Sequence, residues 1–102
     1  MRKCIIKAIR RTTYPDLSAE YELPQKSPCE IEIGQEFICT DFEIKPKGLC
    51  PSAWQTMQPF IMALLSGGEN IYPNWMKNPK SAMLSCNDGF RPVTFLVECI
   101  DE

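Results

Sequence analysis

The sequence predicts an α+β fold: a small, mostly antiparallel sheet of about four strands packed against one main helix at 52–66. Three observations carry this. No charged side chain occurs between Lys47 and Glu69, although 24% of the 102 residues are charged. Within that stretch Trp54, Met57, Ile61 and Leu64 recur at helical spacing, with Phe60 and Leu65 beside them. Further on, Val93, Phe95, Val97 and Cys99 alternate with Thr94, Leu96, Glu98 and Ile100, the period of a strand. A chain of this length makes one domain, 1–102, with a single core.

Taken in order, residues 3–10 read as a strand with apolar residues on both faces: Ile5 and Ile9 alternate with Cys4, Ile6 and Ala8. Pro15, Pro24 and Pro28 break the next stretch, in which 16–21 can form a turn or two of helix with Leu17 and Tyr21 on one side. After a weak alternation at 30–33 and Gly34, residues 36–44 form the second strand, with Phe37, Cys39 and Asp41 on one face. The main helix is bounded by a capping box, Ser52 with Gln55, and by Gly67-Gly68. Pro59 within it should bend or restart the helix. The loop 69–80 is unusually apolar, carrying Ile71, Tyr72, Trp75 and Met76, and must fold back on something. The last two strands, 82–86 and 90–100, flank the turn Asn87-Asp88-Gly89. Pro92 cannot donate to a ladder, so that end should be an edge or a bulge. Helix residues Trp54, Met57, Ile61 and Leu64 should meet Phe37, Val93, Phe95 and Val97.

The net charge of −2 gives no reason to expect nucleic acid. Charge is nevertheless segregated. Residues 1–11 carry Arg2, Lys3, Lys7, Arg10 and Arg11, whereas 16–43 carry eight acids against Lys26 alone, so the two stretches should neutralise one another. The apolar run after Lys3 is too short for a signal peptide, and no stretch reaches the roughly 20 residues that span a bilayer. The expectation is a cytoplasmic protein, with six cysteines held as thiols. One helix can cover only one face of the sheet, which points to a homodimer.

There is no histidine, and therefore neither the commonest general base nor the commonest metal ligand. No phosphate loop and no defined carboxylate pair stand out. The chemistry left is that of thiols. Cys4, Cys39 and Cys99 occupy apolar strand positions and read as core. Cys29, Cys50 and Cys86 stand at element boundaries, beside Pro28, Pro51 and the 87–89 turn. Cys50 immediately precedes the helix, whose unsatisfied amides favour a thiolate. A second constellation is Asp88 and Arg91 with Trp75 and Tyr72. Asp88 would shape the turn; Arg91 would make a salt bridge or, more sharply, anchor an anion.

Gly34-Gln35-Glu36-Phe37, Gly48-Leu49-Cys50 with Ala53-Trp54, Gly67-Gly68 with Pro73-Asn74-Trp75-Met76, and Cys86-Asn87-Asp88-Gly89-Phe90-Arg91-Pro92-Val93-Thr94-Phe95 occur in that order. In these four pieces the chain resembles a family of small cysteine-containing proteins found mainly in anaerobic bacteria and archaea. The resemblance spans nearly the whole chain and brings no activity with it. It implies cysteine at Cys29, Cys50 and Cys86, not at Cys4, Cys39 and Cys99, and an uninterrupted helix where Pro59 stands.

Two functions follow as expectations. One is a small binding or accessory module with a pocket between loop 69–80 and the sheet. There Trp75 and Tyr72 would form the walls, and Arg91 with Asp88 would hold a small anionic ligand. The other is a thiol-dependent redox or soft-metal-binding protein. Cys29, Cys50 and Cys86 would then take a thiolate-bound metal ion, or Cys50 would attack and a neighbour resolve.

Overall fold

The two ends of the chain meet in the middle of the sheet. Strand β1 (Arg2–Arg11) pairs antiparallel with β4 (Val93–Asp101), from Arg2 opposite Asp101 to Arg11 opposite Val93. Strand β2 (Glu36–Cys39) adds to the other side of β1, and β3 (Ser81–Ser85) to the other side of β4. The order is β2-β1-β4-β3, antiparallel throughout. Helix α1 (Pro15–Tyr21) follows β1, and α2 (Pro51–Leu65) joins β2 to β3. This computed structural model describes residues 1–24 and 29–101; Lys26 and Pro28, and what the sequence predicts of them, lie outside the described residues. The architecture is the expected α+β one.

Alternation selects the core. Cys4, Ile6 and Ala8 of β1, Phe37 and Cys39 of β2, Ala82 of β3, and Val93, Phe95, Val97 and Cys99 of β4 are buried. Against them α2 places Ala53, Met57, Ile61 and Leu64, all fully buried, with Trp54 partly so. Each fully buried large side chain contributes roughly 1.5–3 kcal/mol. That one face therefore outweighs the helix-weakening proline within it: α2 runs through Pro59 as one element.

The boundaries differ from expectation for local reasons. β2 ends at Cys39 rather than at 44, because Asp41 starts a turn: its Oδ1 accepts from the Glu43 amide at 2.9 Å, and its carbonyl from the Ile44 amide at 3.1 Å. α2 is capped by Cys50, not Ser52. The Cys50 sulfur accepts from the Ala53 amide, and Pro51 follows at the first position, where no N–H is needed. Pro92 lies just before β4, an interior strand, and its carbonyl accepts from the Thr12 amide. The irregularity sits instead in β1, where the register shifts between Ala8 and Arg10.

The basic stretch and part of 16–43 lie side by side, β1 against β2 with Lys7 opposite Glu36, while the following ion pairs join other parts of the chain. Arg2 Nε meets Asp101 Oδ1 at 2.8 Å, Lys80 binds the same carboxylate, and Arg91 reaches Glu22. Bonds from Lys80, and then from Arg2, hold the Asp101 carboxyl below its ordinary value. Cys4 and Cys99, expected as thiols, form a disulfide. They face each other across the β1–β4 ladder with Cα atoms 4.2 Å apart, within bridging distance of sulfur. Packing among apolar neighbours and bridging are both open to such a pair, and only the register brings the two together. The bridge closes 95 residues of chain, a loop whose closure is worth about 4–5 kcal/mol on the chain-entropy account.

Among the described residues, no helix lies on the outer face of the sheet. Ile38, Met83, Ile100 and Ile9 are exposed there, with Ile5 and Leu96 half-buried between them.

The end of α2 matches its sequence signal. Gly68 donates to the Ala63 carbonyl at 2.9 Å and Gly67 to Leu64 at 3.2 Å, the paired bonds of a Schellman closure, with Gly67 at φ +103°. Arg2 adds its guanidinium to the carbonyls of Leu64 and Gly68 at the same end. A Cβ on Gly67 meets nothing within 4 Å, so Gly67→Ala adds only backbone strain. It should lower the unfolding free energy by about 1 kcal/mol with the fold unchanged, as read from urea midpoints.

Candidate functional site

The start of α2, the end of β3 and the segment entering β4 enclose a cavity of about 90 Å³. Cys29, Cys50 and Cys86 all line it, together with Asp88 and Arg91, over a floor of Val93 and Phe95. Three cysteines separated by 21 and 36 positions in the chain thus share one small space. Cys50 and Cys86 are half-buried and Cys29 is exposed. Two hydrogen bonds bracket Cys86 and hold the start of α2 beside it: Thr56 Oγ1 donates to the Ser85 carbonyl at 2.6 Å, and Asn87 Nδ2 to Gln55 Oε1 at 3.4 Å.

In all three cases the sulfur is an acceptor. Cys50 Sγ receives the Ala53 amide at 3.4 Å, Cys86 Sγ the Val93 amide at 3.3 Å, and Cys29 Sγ the Arg11 Nη2 at 3.3 Å. A backbone amide and a guanidinium can only donate, so the direction of these bonds is fixed. Cys39 is the opposite: its S–H donates to the Asp41 carbonyl at 3.3 Å, and burial pushes this thiol up from its ordinary pKa.

Asp88 and Arg91 take their plainer roles. Asp88 Oδ1 accepts from the amides of Phe90 and Arg91 at 2.8 and 3.2 Å and so shapes the turn. The Arg91 fork grips Glu22 at 2.9 and 2.7 Å and touches Ser18 Oγ at 3.3 Å. The hydrogen bonds to Glu22 push the guanidinium further above its ordinary pKa. Helix α1 has no buried residue, and this clamp, with the Tyr14 amide on the Phe90 carbonyl, ties it to the segment before β4. Arg91 is occupied by a carboxylate of its own chain, which leaves little of it for an external anion.

Tyr72 and Trp75 are elsewhere. Their rings pack on each other at 5.0 Å between centroids and on Phe60 of α2 at 6.0 and 6.4 Å. The apolar loop 69–80 folds its aromatic rings onto the helix rather than over the sheet, and neither ring lines the clefts that Arg91 lines among the described residues. The four residues expected to form one binding pocket are thus divided between two places. Among the described residues, moreover, no three His, Cys, Asp or Glu side chains converge closely enough to hold a metal ion. Sequence reasoning missed Arg11 and Glu22 as partners of this region. Nothing in their local pattern marks them, since each is reached only through the fold.

The geometry sets an order of reactivity toward a small alkylating reagent in the folded protein at neutral pH. Cys29 and Cys50 should be labelled first and Cys86 next. Cys39 should lag far behind until the protein is unfolded, as peptide mass spectrometry would read. Equal rates at Cys39 and Cys50 would contradict it. Compared with known protein families, curated proteins and solved structures, the chain matches none.

Proposed function

We propose that this is a thiol-dependent redox module whose working groups are Cys50 and Cys86, with Cys29 at the rim of the same cavity. The observation that supports this is that Cys29, Cys50 and Cys86, each with a sulfur that accepts a hydrogen bond, line one cavity at the start of a helix. The substrate class is a low-molecular-weight disulfide, RSSR. Cys50 thiolate attacks one sulfur, the S–S bond of the substrate breaks, and one RS⁻ leaves and takes up a proton. Cys86 then attacks Cys50 Sγ, forming a Cys50–Cys86 bond and releasing the second RSH. Two protein thiols are oxidised and one RSSR is reduced to two RSH. The three cysteines are also those in which the chain resembles the small proteins of anaerobes. The compartment proposed is the cytoplasm, where free thiols persist; Cys4 and Cys99, 0% and 3% exposed, are shielded there from direct reduction.

The test is stoichiometric oxidation by oxidised glutathione. The native protein should release two equivalents of glutathione and gain a Cys50–Cys86 bridge, as peptide mapping would show. Cys50→Ser should cut the rate by about tenfold or more, and Cys86→Ser should stop at a mixed disulfide on Cys50. A protein purified without oxygen that carries one equivalent of a soft metal, with Cys29, Cys50 and Cys86 protected together, would replace this reading with a metal-binding one.

We further propose that two copies associate through the outer face of the sheet. Exposed Ile38, Ile9, Met83 and Ile100 supply apolar area, and the exposed charges among them include Lys7, opposite Glu36 of its own chain, and Glu98. Two-fold symmetry would then set Lys7 of one copy against Glu98 of the other. Sedimentation should show a dimer at high micromolar concentration. Ile38→Lys, at a position 58% exposed, should give a monomer of unchanged stability.

A further inference from the structure

Cys39, Cys4 and Cys99 stand in one row across the sheet. Cys39 of β2 is the register partner of Cys4 of β1, and Cys4 is the partner of Cys99 of β4. All three are buried in the core beneath α2. Cys4 and Cys99 are bonded to each other, and Cys39 is a free thiol. Neighbouring strands lie about 4.8 Å apart, so the row sets a thiol, a central sulfur and a potential leaving group side by side, perpendicular to the strands. Exchange at a disulfide needs that sequence of groups.

A second observation gives the row an outlet. At the edge of the sheet a cleft of about 260 Å³ opens beside β2, and Cys39 lines it together with Ile38, Thr40, Asp41, Lys45 and Lys47. Neither Cys4 nor Cys99 lines that cleft. We propose that Cys39 is the exchange thiol of the Cys4–Cys99 disulfide, and that the cleft beside it admits the low-molecular-weight thiol that reduces this bridge.

The chemistry balances with that thiol, RSH, as the sole co-reactant. Cys39 gives up its proton and its sulfur attacks Cys4 Sγ. The Cys4–Cys99 bond breaks, and Cys99 leaves as a thiolate that takes up a proton. One disulfide, now Cys4–Cys39, and one thiol remain. RSH attacks Cys39 Sγ from the cleft, the Cys4–Cys39 bond breaks, and Cys4 is released as a thiol. A second RSH removes the mixed disulfide as RSSR and restores Cys39. Two RSH are oxidised to RSSR, and the bridge becomes two thiols; the reverse sequence, fed by RSSR, restores it. The hydrogen bond from Cys39 to the Asp41 carbonyl holds the resting proton, so Cys39 is slow toward an external alkylating reagent. Cys4, one strand away, presents its sulfur at a high effective concentration that a reagent in solution does not reach.

The experiment uses the whole folded chain, oxidised at Cys4–Cys99, with reduced glutathione as the probe and no denaturant. Samples are quenched with acid, and the bridges are mapped by mass spectrometry. Wild type should lose the Cys4–Cys99 bond at least about tenfold faster than Cys39→Ser and Cys39→Ala, and should pass through a Cys4–Cys39 species when glutathione is limiting. Equal rates in wild type and both variants would overturn the proposal, as would the absence of a Cys4–Cys39 species in wild type. The wild-type mapping needs no substitution, so it decides the matter even where a variant folds poorly, which urea midpoints would reveal.

Discussion

The ladder between β1 and β4 is the constraint on which the rest of this molecule depends. It pairs the first strand of the chain with the last, residue by residue from Arg2–Asp101 inward. Only when it forms do Ile6, Ala8, Phe95 and Val97 make the continuous apolar face on which α2 can lie. Cys4 and Cys99 then come into bonding distance, and Arg2 reaches the carbonyls at the end of α2. A ladder between chain ends is entropically costly to close. The covalent link between its strands acts on that cost by shrinking the unfolded ensemble.

The same ladder positions the thiol-lined cavity. β4 delivers Val93 and Phe95 to its floor, and β3, paired to β4, delivers Cys86 to its wall. Cys50 arrives because α2 starts at that end of the sheet, held by Thr56 and Gln55 to the chain on either side of Cys86. Cys29 is brought in by Arg11 at the end of β1, which also donates to the carbonyls of Cys29 and Ile31. Each cysteine therefore owes its place to a different element, and the N–H that faces its sulfur comes from that surrounding framework.

The two sets of cysteines divide by hydrogen bonding as well as by burial. Cys29, Cys50 and Cys86 accept; Cys39 donates; Cys4 and Cys99 are consumed in a bond. One face of the sheet thus holds two sulfur systems, one in the cavity at the start of α2 and one in a row beneath the helix. The first is lined by Cys86, Asp88 and Arg91, and the second borders the cleft beside β2.

Patterns of near neighbours were legible in the sequence. The period of two in β4 and the face of α2 follow from which side chains water rejects, and these are local facts. So are the glycine closure at 67–68 and the turn residue Asp88, because a left-handed backbone and an Asx turn are chosen within a few residues. The grouping of Cys29, Cys50 and Cys86 was legible as three boundary thiols, and the fold gave them one cavity. Register was not legible. Whether Cys4 packs or bonds depends on which residue stands opposite it, and a shift by one position would turn every partner to the other face. The cap at Cys50, the truncation of β2 at Cys39, the engagement of Arg91 by Glu22 and the folding of Trp75 onto Phe60 are decided in the same way. Each rests on a partner distant in the chain or on competition between two local signals, and only the packed structure says which partner is present.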